Sequence, residues 1–146
     1  MHRFFIQHSQ IQGSRLYVEG PDVNHIKNVL RMKRGDQVMV SDGEGMQYLC
    51  ALESFTDGLV WFEIVDTWKE NRELSSKLYL FQGLPKSDKM ELIIQKATEL
   101  GVYEVVPVVT GRTVVRLDEK KAQKKTARWN AIAESAAKQS GRSRIP

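Results

Sequence analysis

The first seventy residues alternate between short apolar runs and turn sequences, a pattern that is typical of a small β-rich domain. The apolar runs predict strands over residues 3–7, 15–19, 37–41, 47–54 and 60–66, with a hairpin turn at Asp57-Gly58. Pro21, followed by apolar residues at helical spacing, predicts one short helix. That helix is expected to bury Val23, Ile26, Val29 and Leu30. Together these elements indicate a compact β-barrel.

The pattern changes after a polar segment over residues 67–76, which predicts a domain boundary. We expect a first domain over residues 1–72 and a second domain over residues 73–146. In the second, apolar strands over 77–82 and 104–109 each precede a helix, and this order predicts a parallel α/β arrangement. Two strands are too few to bury a parallel sheet on both faces. We therefore expect a truncated α/β domain, or one that another chain completes.

Both predicted helices of the second half carry an apolar stripe. The first has Asp88 as its N-cap, with Glu91 placed as in a capping box, and Gly101 is expected to end it. Its buried stripe should contain Met90, Ile93, Ile94, Ala97 and Leu100. The second helix, over residues 118–139, should bury Trp129, Ile132, Ala133 and Ala136.

Composition excludes several classes of protein. The 146 residues contain no apolar run near the ~20 residues that a membrane-spanning helix needs, and the N-terminus does not have the pattern of a signal peptide. The single cysteine, Cys50, excludes an internal disulfide framework and is expected in the core. The three histidines are far apart in sequence and predict no metal site. We expect a cytoplasmic protein that binds no membrane and no metal.

The net charge of +4 is concentrated at one end of the chain. Residues 111–146 carry ten Lys and Arg against three Asp and Glu, whereas residues 1–73 carry eight against eleven. A concentrated basic segment attracts a polyanion such as nucleic acid. A solvated lysine-rich helix explains the same charge, so charge alone leaves both interpretations open.

A second group of cations lies in the first half. Lys27, Arg31, Lys33 and Arg34 fall within eight residues with no acid between them. Lys27 and Arg31 are expected to share a helix face, where a phosphate backbone would relieve their repulsion. The alternative is a basic surface turn, and nearby His25 is expected to be structural.

Basic loops also follow the predicted elements of the second half. Lys86 and Lys89 flank the start of a helix after a strand, where α/β sheets place ligands, although the glycine spacing of a Walker loop is missing. Arg112 follows the next strand, and Gln139 and Arg142 lie where the long helix ends. A basic run on that helix (Lys120, Lys121, Lys124, Lys125, Arg128) fits phosphate contact or a solvated face. No catalytic nucleophile and no pair of catalytic carboxylates is predicted.

Several segments are similar to one family over essentially the whole chain. The segments QGLPKSDKMELIIQKATELGV, VVPVVTGRTVV and RWNAIAESAAKQSGRSRIP resemble the bacterial small-subunit rRNA uridine-N3 methyltransferases. DVNHIKNVLRMKRGDQV and SDGEGMQYLC resemble the RNA-binding PUA-like barrel of that family.

The resemblance implies an α+β protein: an N-terminal PUA-like β-barrel over residues 1–72, then the first part of a SPOUT-type α/β domain over residues 73–146. In the family, the C-terminal part of that second domain is a trefoil knot that binds S-adenosylmethionine, and the protein is a homodimer. The sequence ends before the glycine-rich knot segments, so the cofactor-binding residues are expected mostly beyond Pro146. These 146 residues alone are then expected to be inactive.

The implied reaction moves a methyl group from S-adenosylmethionine to N3 of a uridine in 16S rRNA, presented as free rRNA or as the assembled 30S subunit. N3 lies on the Watson–Crick edge, so the target base must be unpaired. The resemblance places Arg112, Gln139 and Arg142 on the reaction side. It assigns RNA contacts to Arg3, Lys27, Arg31, Lys33, Arg34, Lys86, Lys89 and Arg128.

Two other functions are compatible with the residues. A non-catalytic RNA-binding module would need only the barrel and the basic helix, and would bind RNA in a salt-sensitive way without responding to S-adenosylmethionine. Alternatively, the incomplete sheet could serve only as an assembly surface, which predicts concentration-dependent oligomerisation.

Overall fold

The structure is a computed structural model that describes residues 1–86, 88–111 and 118–146. The chain forms two units, Met1–Arg72 and Glu73–Pro146. The predicted site residue Arg112 lies outside the described residues, so its role stays a prediction.

The first unit is built on one mixed six-stranded sheet. Its strands are β1 (Arg3–Phe5), β2 (Ile11–Gln12), β3 (Arg15–Val18), β4 (Gln37–Ser41), β5 (Met46–Thr56) and β6 (Leu59–Lys69). Their order in the sheet is β1-β4-β5-β6-β3-β2, with β1 parallel to β4 and the other pairs antiparallel. A 3₁₀ turn, His8–Gln10, leads from β1 towards β2.

The sheet encloses one apolar core. Phe4 of β1 and Leu16 of β3 lie far apart in the strand order, yet both are buried in the same cluster, so the sheet must curve around it. Cys50 is fully buried there, as predicted. The remaining buried members are Ile6, Val18, Ile26, Val38, Val40, Tyr48, Leu52, Val60 and Phe62.

Strands β5 and β6 form the longest hairpin, and each contains one unpaired residue. Leu49 pairs with Asp66 while Cys50 pairs with Ile64, which leaves Val65 of β6 as a bulge. The polar segment over residues 67–76 is not all loop, because its first three residues belong to a strand. Thr67–Lys69 belong to β6 and pair with Tyr48–Met46, because ladder hydrogen bonds hold this polar stretch without an alternating pattern.

The predicted helix of the first unit forms, but its second half is not α-helical. Helix α1 (Pro21–Asn24) continues directly into a π-helical turn, His25–Val29, in which Leu30 N donates to the carbonyl of His25. This wider turn breaks the 3.6-residue period. As a result, Ile26 is buried whereas Val29 is 62% exposed, so the prediction for Val29 is wrong.

The second unit pairs two parallel strands with two helices, as the strand–helix order predicts. Strands β7 (Tyr79–Gly83) and β8 (Glu104–Val108) are parallel, with Tyr79 opposite Glu104 and Gly83 opposite Val108. Helix α2 (Lys89–Leu100) connects them, and helix α3 (Glu119–Ser140) follows. Phe81 of β7 is 69% exposed, so this face of the sheet is largely uncovered in the described part of the chain.

The two helices pack against each other through a small core of Met90, Ile94 and Ala133, with Val105, Trp129, Ile132 and Ile145 against it. On α2 the fully buried row is Met90, Ile94 and Thr98, at a spacing of four residues. Leu100 is 79% exposed, so its predicted burial is wrong. At ~100° per residue it lies about 120° around the helix from Ile94.

Three of the four helix ends in the second unit follow their sequence signals. Gly101 and Gly141 end α2 and α3 in the left-handed conformation, at φ of 101° and 73°. The Asp118 carboxylate accepts a 2.8 Å hydrogen bond from Lys121 N and so caps α3. Asp88 makes no such bond among the described residues, so the capping box predicted there is wrong. Its ψ of −1° is helical, whereas a capping residue usually has an extended backbone.

Within residues 1–86, 88–111 and 118–146, no helix combines the length and apolarity that crossing a membrane requires. The same residues contain no cluster of three or more His, Cys, Asp or Glu suited to a metal ion.

Candidate functional site

The four cations of residues 27–34, which we call the cation cluster (Lys27, Arg31, Lys33, Arg34), are all exposed. Lys27 lies in the π-helical turn, but Arg31 follows the helix end and adopts a left-handed φ of 50°. The prediction that Lys27 and Arg31 share a helix face is therefore wrong. The cluster instead extends from the helix into the following loop.

That loop is held by its own hydrogen bonds and by β5. Lys33 N donates to the Asp36 carboxylate at 2.8 Å, and Asp36 N donates to the Lys33 carbonyl at 3.0 Å. Gly35 N and the Asp36 carbonyl both bond to Leu52 of β5. The cations of the loop thus project from a fixed backbone, which favours ordered contact with phosphates.

Arg3 is placed differently from the other predicted RNA-binding residues of the first unit. It is half-buried, and its Nη1 donates to Gln47 Oε1 at 2.5 Å. Burial lowers the pKa of Arg3, and the neighbouring Arg72 lowers it further, while Glu70 acts in the opposite direction. The geometry gives Arg3 an internal partner, and its role in RNA binding stays a prediction.

In the second unit, Lys86 and Lys89 lie where ligands of α/β sheets usually bind. Both are exposed, and both follow β7 at the end of the sheet marked by Gly83 and Val108, which we call the carboxyl edge. Leu84 N donates to the Val108 carbonyl at 3.1 Å and fixes the start of this loop. Strand β8 also ends at this edge.

Gln139 and Arg142 lie at the opposite, amino edge. Arg142 contacts the Val102 carbonyl just before β8 begins, and Gln139 is exposed in the last turn of α3. At about 3.3 Å per residue, the five residues of β8 separate the two edges by roughly 15–20 Å. The structure therefore does not bring Gln139 and Arg142 together with Lys86 and Lys89.

Arg142 is an internal cross-link. It is 5% exposed, and its Nη1 donates to the carbonyls of Val102 at 2.7 Å and Thr98 at 3.3 Å. Its Nη2 lies 2.6 Å from the Glu73 carboxylate. These contacts tie the end of α3 to the end of α2 and to the start of the unit. They explain its position without catalysis, and the catalytic role stays a prediction.

The basic face of α3 is partly neutralised. Arg128 Nε lies 2.7 Å from Glu91 of α2, although the Arg128 side chain remains 68% exposed. Exposed pairs of this kind contribute only about 0–1 kcal/mol, so Arg128 remains able to exchange its partner for a phosphate. Lys120, Lys121, Lys124 and Lys125 are exposed along the same helix.

Two features were missed by sequence reasoning. Glu73 falls in the polar segment between the domains, where nothing in the sequence distinguishes it as the partner of Arg142. Tyr103, which follows the end of α2, contacts Arg144, whose guanidinium carbon lies 3.6 Å from the ring centroid. Such stacking holds the residues after α3 against the amino edge.

Comparison with protein families assigns both halves of the chain. A family model described as RNA methyltransferase PUA domain matches residues 18–65, and one described as RNA methyltransferase domain matches residues 72–146. The matches follow the order that the resemblance implies.

Individual relatives agree with these family models. The protein named ribosomal RNA small subunit methyltransferase E in Bacillus subtilis is 44% identical, with 100% of this chain and 58% of that protein covered. The protein of the same name in Synechocystis sp. is 32% identical, with 99% of this chain and 46% of that protein covered. The chain thus spans about half the length of the curated relatives it matches.

Solved structures give the same result. A crystal structure of a ribosomal RNA small subunit methyltransferase E from Neisseria gonorrhoeae, bound to S-adenosyl methionine, is 32% identical with a TM-score of 0.89. The alignment covers 100% of the present chain and 60% of the chain in the Neisseria gonorrhoeae structure. The resemblance seen in the sequence is confirmed: the chain belongs to the RNA methyltransferase family whose domain model spans its second half.

Proposed function

We propose that this chain is part of an enzyme that transfers a methyl group from S-adenosylmethionine to N3 of a uridine in 16S rRNA. One observation carries the proposal: a PUA model and an RNA methyltransferase model follow one another along the chain. The relatives named as small-subunit rRNA methyltransferases support the substrate, and the resemblance to the uridine-N3 enzymes supports the atom that is modified.

The exposed charges support the RNA side of the proposal. The cation cluster, Lys86 and Lys89 are exposed, and within the described residues none of them lies in an ion pair, so they can contact phosphates at little desolvation cost. Arg128 adds a cation if it leaves Glu91. Because N3 lies on the Watson–Crick edge, the enzyme must act on an unpaired uridine.

The described residues do not by themselves fit the methyl donor. S-adenosylmethionine supplies an electrophilic methyl group on a sulfonium cation, and the exposed charged residues at the carboxyl edge, Lys86, Asp88 and Lys89, carry net positive charge. That charge suits a polyanion better than a sulfonium. We therefore assign the donor pocket to the knotted part of the SPOUT-type domain, in the portion of the relatives that this chain does not span, and propose that residues 1–146 alone are inactive.

The proposal includes assembly and location. We infer a homodimer in the cytoplasm, because the resemblance implies a dimer and because an rRNA or a 30S subunit is the substrate. The exposed apolar residues of β7, such as Phe81, are expected to be covered by the remaining strands of the second domain.

The test is methyl transfer by the whole protein that contains this chain. Isotope-labelled S-adenosylmethionine is incubated with 30S subunits and with free 16S rRNA from cells that lack the enzyme, and the modified nucleoside is identified by mass spectrometry. We expect labelled 3-methyluridine in one of these RNAs and none in a tRNA control. Label on another position of uridine would refute the N3 assignment, and an unlabelled rRNA would refute the reaction.

A non-catalytic RNA-binding module remains the second candidate, and one observation favours it. The exposed basic groups of the cation cluster fit phosphate contact, which is all that such a module requires. This candidate predicts RNA binding that S-adenosylmethionine leaves unchanged and no transfer by the whole protein.

A further inference from the structure

A pocket of about 220 Å³ opens on the first unit between the π-helical turn and the β5–β6 hairpin. On the helix side it is lined by Val23 and Lys27, and on the hairpin side by Phe55, Asp57 and Gly58. We call it the Phe55 pocket. Phosphates can bind the cation cluster at an open surface, so phosphate contact alone does not require this pocket.

The hairpin side of the Phe55 pocket is a tight two-residue turn. Asp57 and Gly58 have φ of 53° and 74°, and Thr56 pairs with Leu59 across them. Two successive left-handed residues match the twist of antiparallel strands and hold a hairpin end firmly. The wall that carries Phe55 is therefore preformed rather than shaped by the ligand.

A bulge directs the ring of Phe55 to this wall. Leu52 pairs with Phe62 and Ser54 pairs with Trp61, so Glu53 has no partner in β6. Simple alternation from Leu52 would place Phe55 on the outer face. With the extra residue, Phe55 pairs with the fully buried Val60 and shares its face, but at the end of the sheet, where 37% of the residue remains exposed.

The pocket has opposite charges on its two sides. Lys27 Nζ lies 5.8 Å from the centroid of the Phe55 ring, on the helix side. Arg31, Lys33 and Arg34 continue the positive charge along the chain from there. The carboxylate of Asp57 stands on the hairpin side, so an anion is favoured near Lys27 and disfavoured near the turn.

We propose that the Phe55 pocket binds one unpaired RNA nucleotide, with its base stacked against Phe55 and its phosphate beside Lys27. An aromatic ring next to a flexible cation is the combination that single-stranded nucleic acid uses, since every base has a stacking face and a flanking phosphate. Asp57 orients the nucleotide by repelling its phosphate from the hairpin side. The proposal rests on the proposed function only in taking RNA as the ligand.

The test compares single-stranded with double-stranded RNA. Fluorescence anisotropy measures binding of the purified protein to a labelled oligouridylate of about 12 nucleotides, a length within the usual range of single-strand sites, and to a duplex of equal length. We expect Phe55→Ala to weaken single-strand binding about tenfold, to leave duplex binding unchanged and to preserve the salt dependence. Phe55→Tyr should bind like the wild type. Lys27→Gln should reduce the salt slope by about 0.7.

Three controls make each outcome decisive. Val65→Ala truncates another exposed apolar side chain of the same unit and should leave binding unchanged. Phe55→Leu retains apolar bulk but has no ring, so it should lose affinity for single-stranded RNA as Phe55→Ala does. Because Phe55→Ala could lose affinity by folding poorly, thermal unfolding is used to check that both variants are folded. Unchanged single-strand binding by Phe55→Leu, or an equal loss on the duplex, overturns the pocket.

The result also separates this inference from the proposed function. In one outcome, the Phe55 variants bind RNA normally while a variant with the whole cation cluster neutralised loses affinity. RNA would then remain the substrate, but the nucleotide pocket would be refuted. A wild-type protein that binds neither RNA would refute both.

Discussion

The guanidinium of Arg142 lies 2.6 Å from the carboxylate of Glu73, and the pair joins the residue after the α3 cap to the first residue of the second unit. Both side chains are largely withdrawn from water, with 6% and 21% exposed. The two carbonyls that Arg142 also contacts, those of Thr98 and Val102, come from the end of α2. A single side chain therefore fastens three segments that are distant in sequence.

We expect Arg142→Gln to destabilise the second unit by about 2–4 kcal/mol, because it removes the charged partner of a largely withdrawn carboxylate and the buried donor that contacts two carbonyls. Urea unfolding followed by far-UV circular dichroism measures this, since α2 and α3 belong to the second unit. The exposed Lys124→Gln is the control and should change stability by less than about 0.5 kcal/mol. A stable Arg142→Gln protein that has lost methyl transfer in the whole enzyme would instead support the catalytic assignment.

The two aspartates at the helix starts provide a matched comparison. Asp118→Ala removes the 2.8 Å bond to Lys121 N and should lower the free energy of unfolding by about 1 kcal/mol. Asp88→Ala removes a side chain that makes no capping bond among the described residues, so its effect should stay below about 0.5 kcal/mol. The same unfolding measurement applies to both variants, and equal losses would show that Asp88 caps α2 in solution.

Cys50 should be chemically inert in the folded protein. Burial raises the pKa of its thiol from 9.0 to about 12, so the reactive thiolate is scarce at neutral pH. Iodoacetamide at pH 8 should therefore label the protein in urea and leave the native protein unmodified on the same timescale. Fast labelling without urea would mean that the core of the first unit opens readily.

The same thiol makes stability depend on pH. The unfolded thiol loses its proton near pH 9.0, whereas the folded thiol retains it until about 12. The contribution to stability is thus complete below pH 9 and is lost as the pH rises towards 12, by at most about 1.4 kcal/mol per pH unit. We expect Cys50→Ala to have a shallower stability profile than the wild type over this window. Parallel profiles would contradict the shifted pKa.

Salt dependence can tell the two basic surfaces apart. Replacing the four residues of the cation cluster by Gln should reduce the slope of log K against log salt for single-stranded RNA by between about 2 and 3. The fourfold Gln variant of the exposed lysines on α3 (Lys120, Lys121, Lys124, Lys125) has the same change in charge. If only the α3 variant changes the slope, RNA binds the helix rather than the cluster.

Local sequence signals predict most of the strands and helices, but they do not predict the burial of every residue in them. Residues 37–41 were predicted as a strand and form β4 with those bounds, and Gly101 ends α2 as predicted. The π-helical turn could not be predicted from apolar spacing, because that spacing assumes 3.6 residues per turn. For the same reason the apolar spacing predicts the wrong environment for Val29 and Arg31.

The candidate site shows a second limit of sequence reasoning. The resemblance places Gln139 and Arg142 beside Arg112, although a helix that follows a strand returns to the strand's amino edge. Helix direction alone was enough to place Gln139 and Arg142 away from Lys86. The sequence cannot identify Glu73 as the partner of Arg142, because nothing local in a polar segment indicates a contact 69 residues away.

The unpaired residues Glu53 and Val65 set where the β5–β6 hairpin tolerates a change in length. Loss of either codon would regularise the ladder while every remaining pair kept its partner, so the same side chains would still enter the core. Loss of a codon at a paired position, such as Tyr48, would instead shift all residues between it and the next bulge by one place. The hairpin therefore tolerates a change in length at Glu53 and at Val65. Among relatives, insertions and deletions within the hairpin should be found mainly at these two positions.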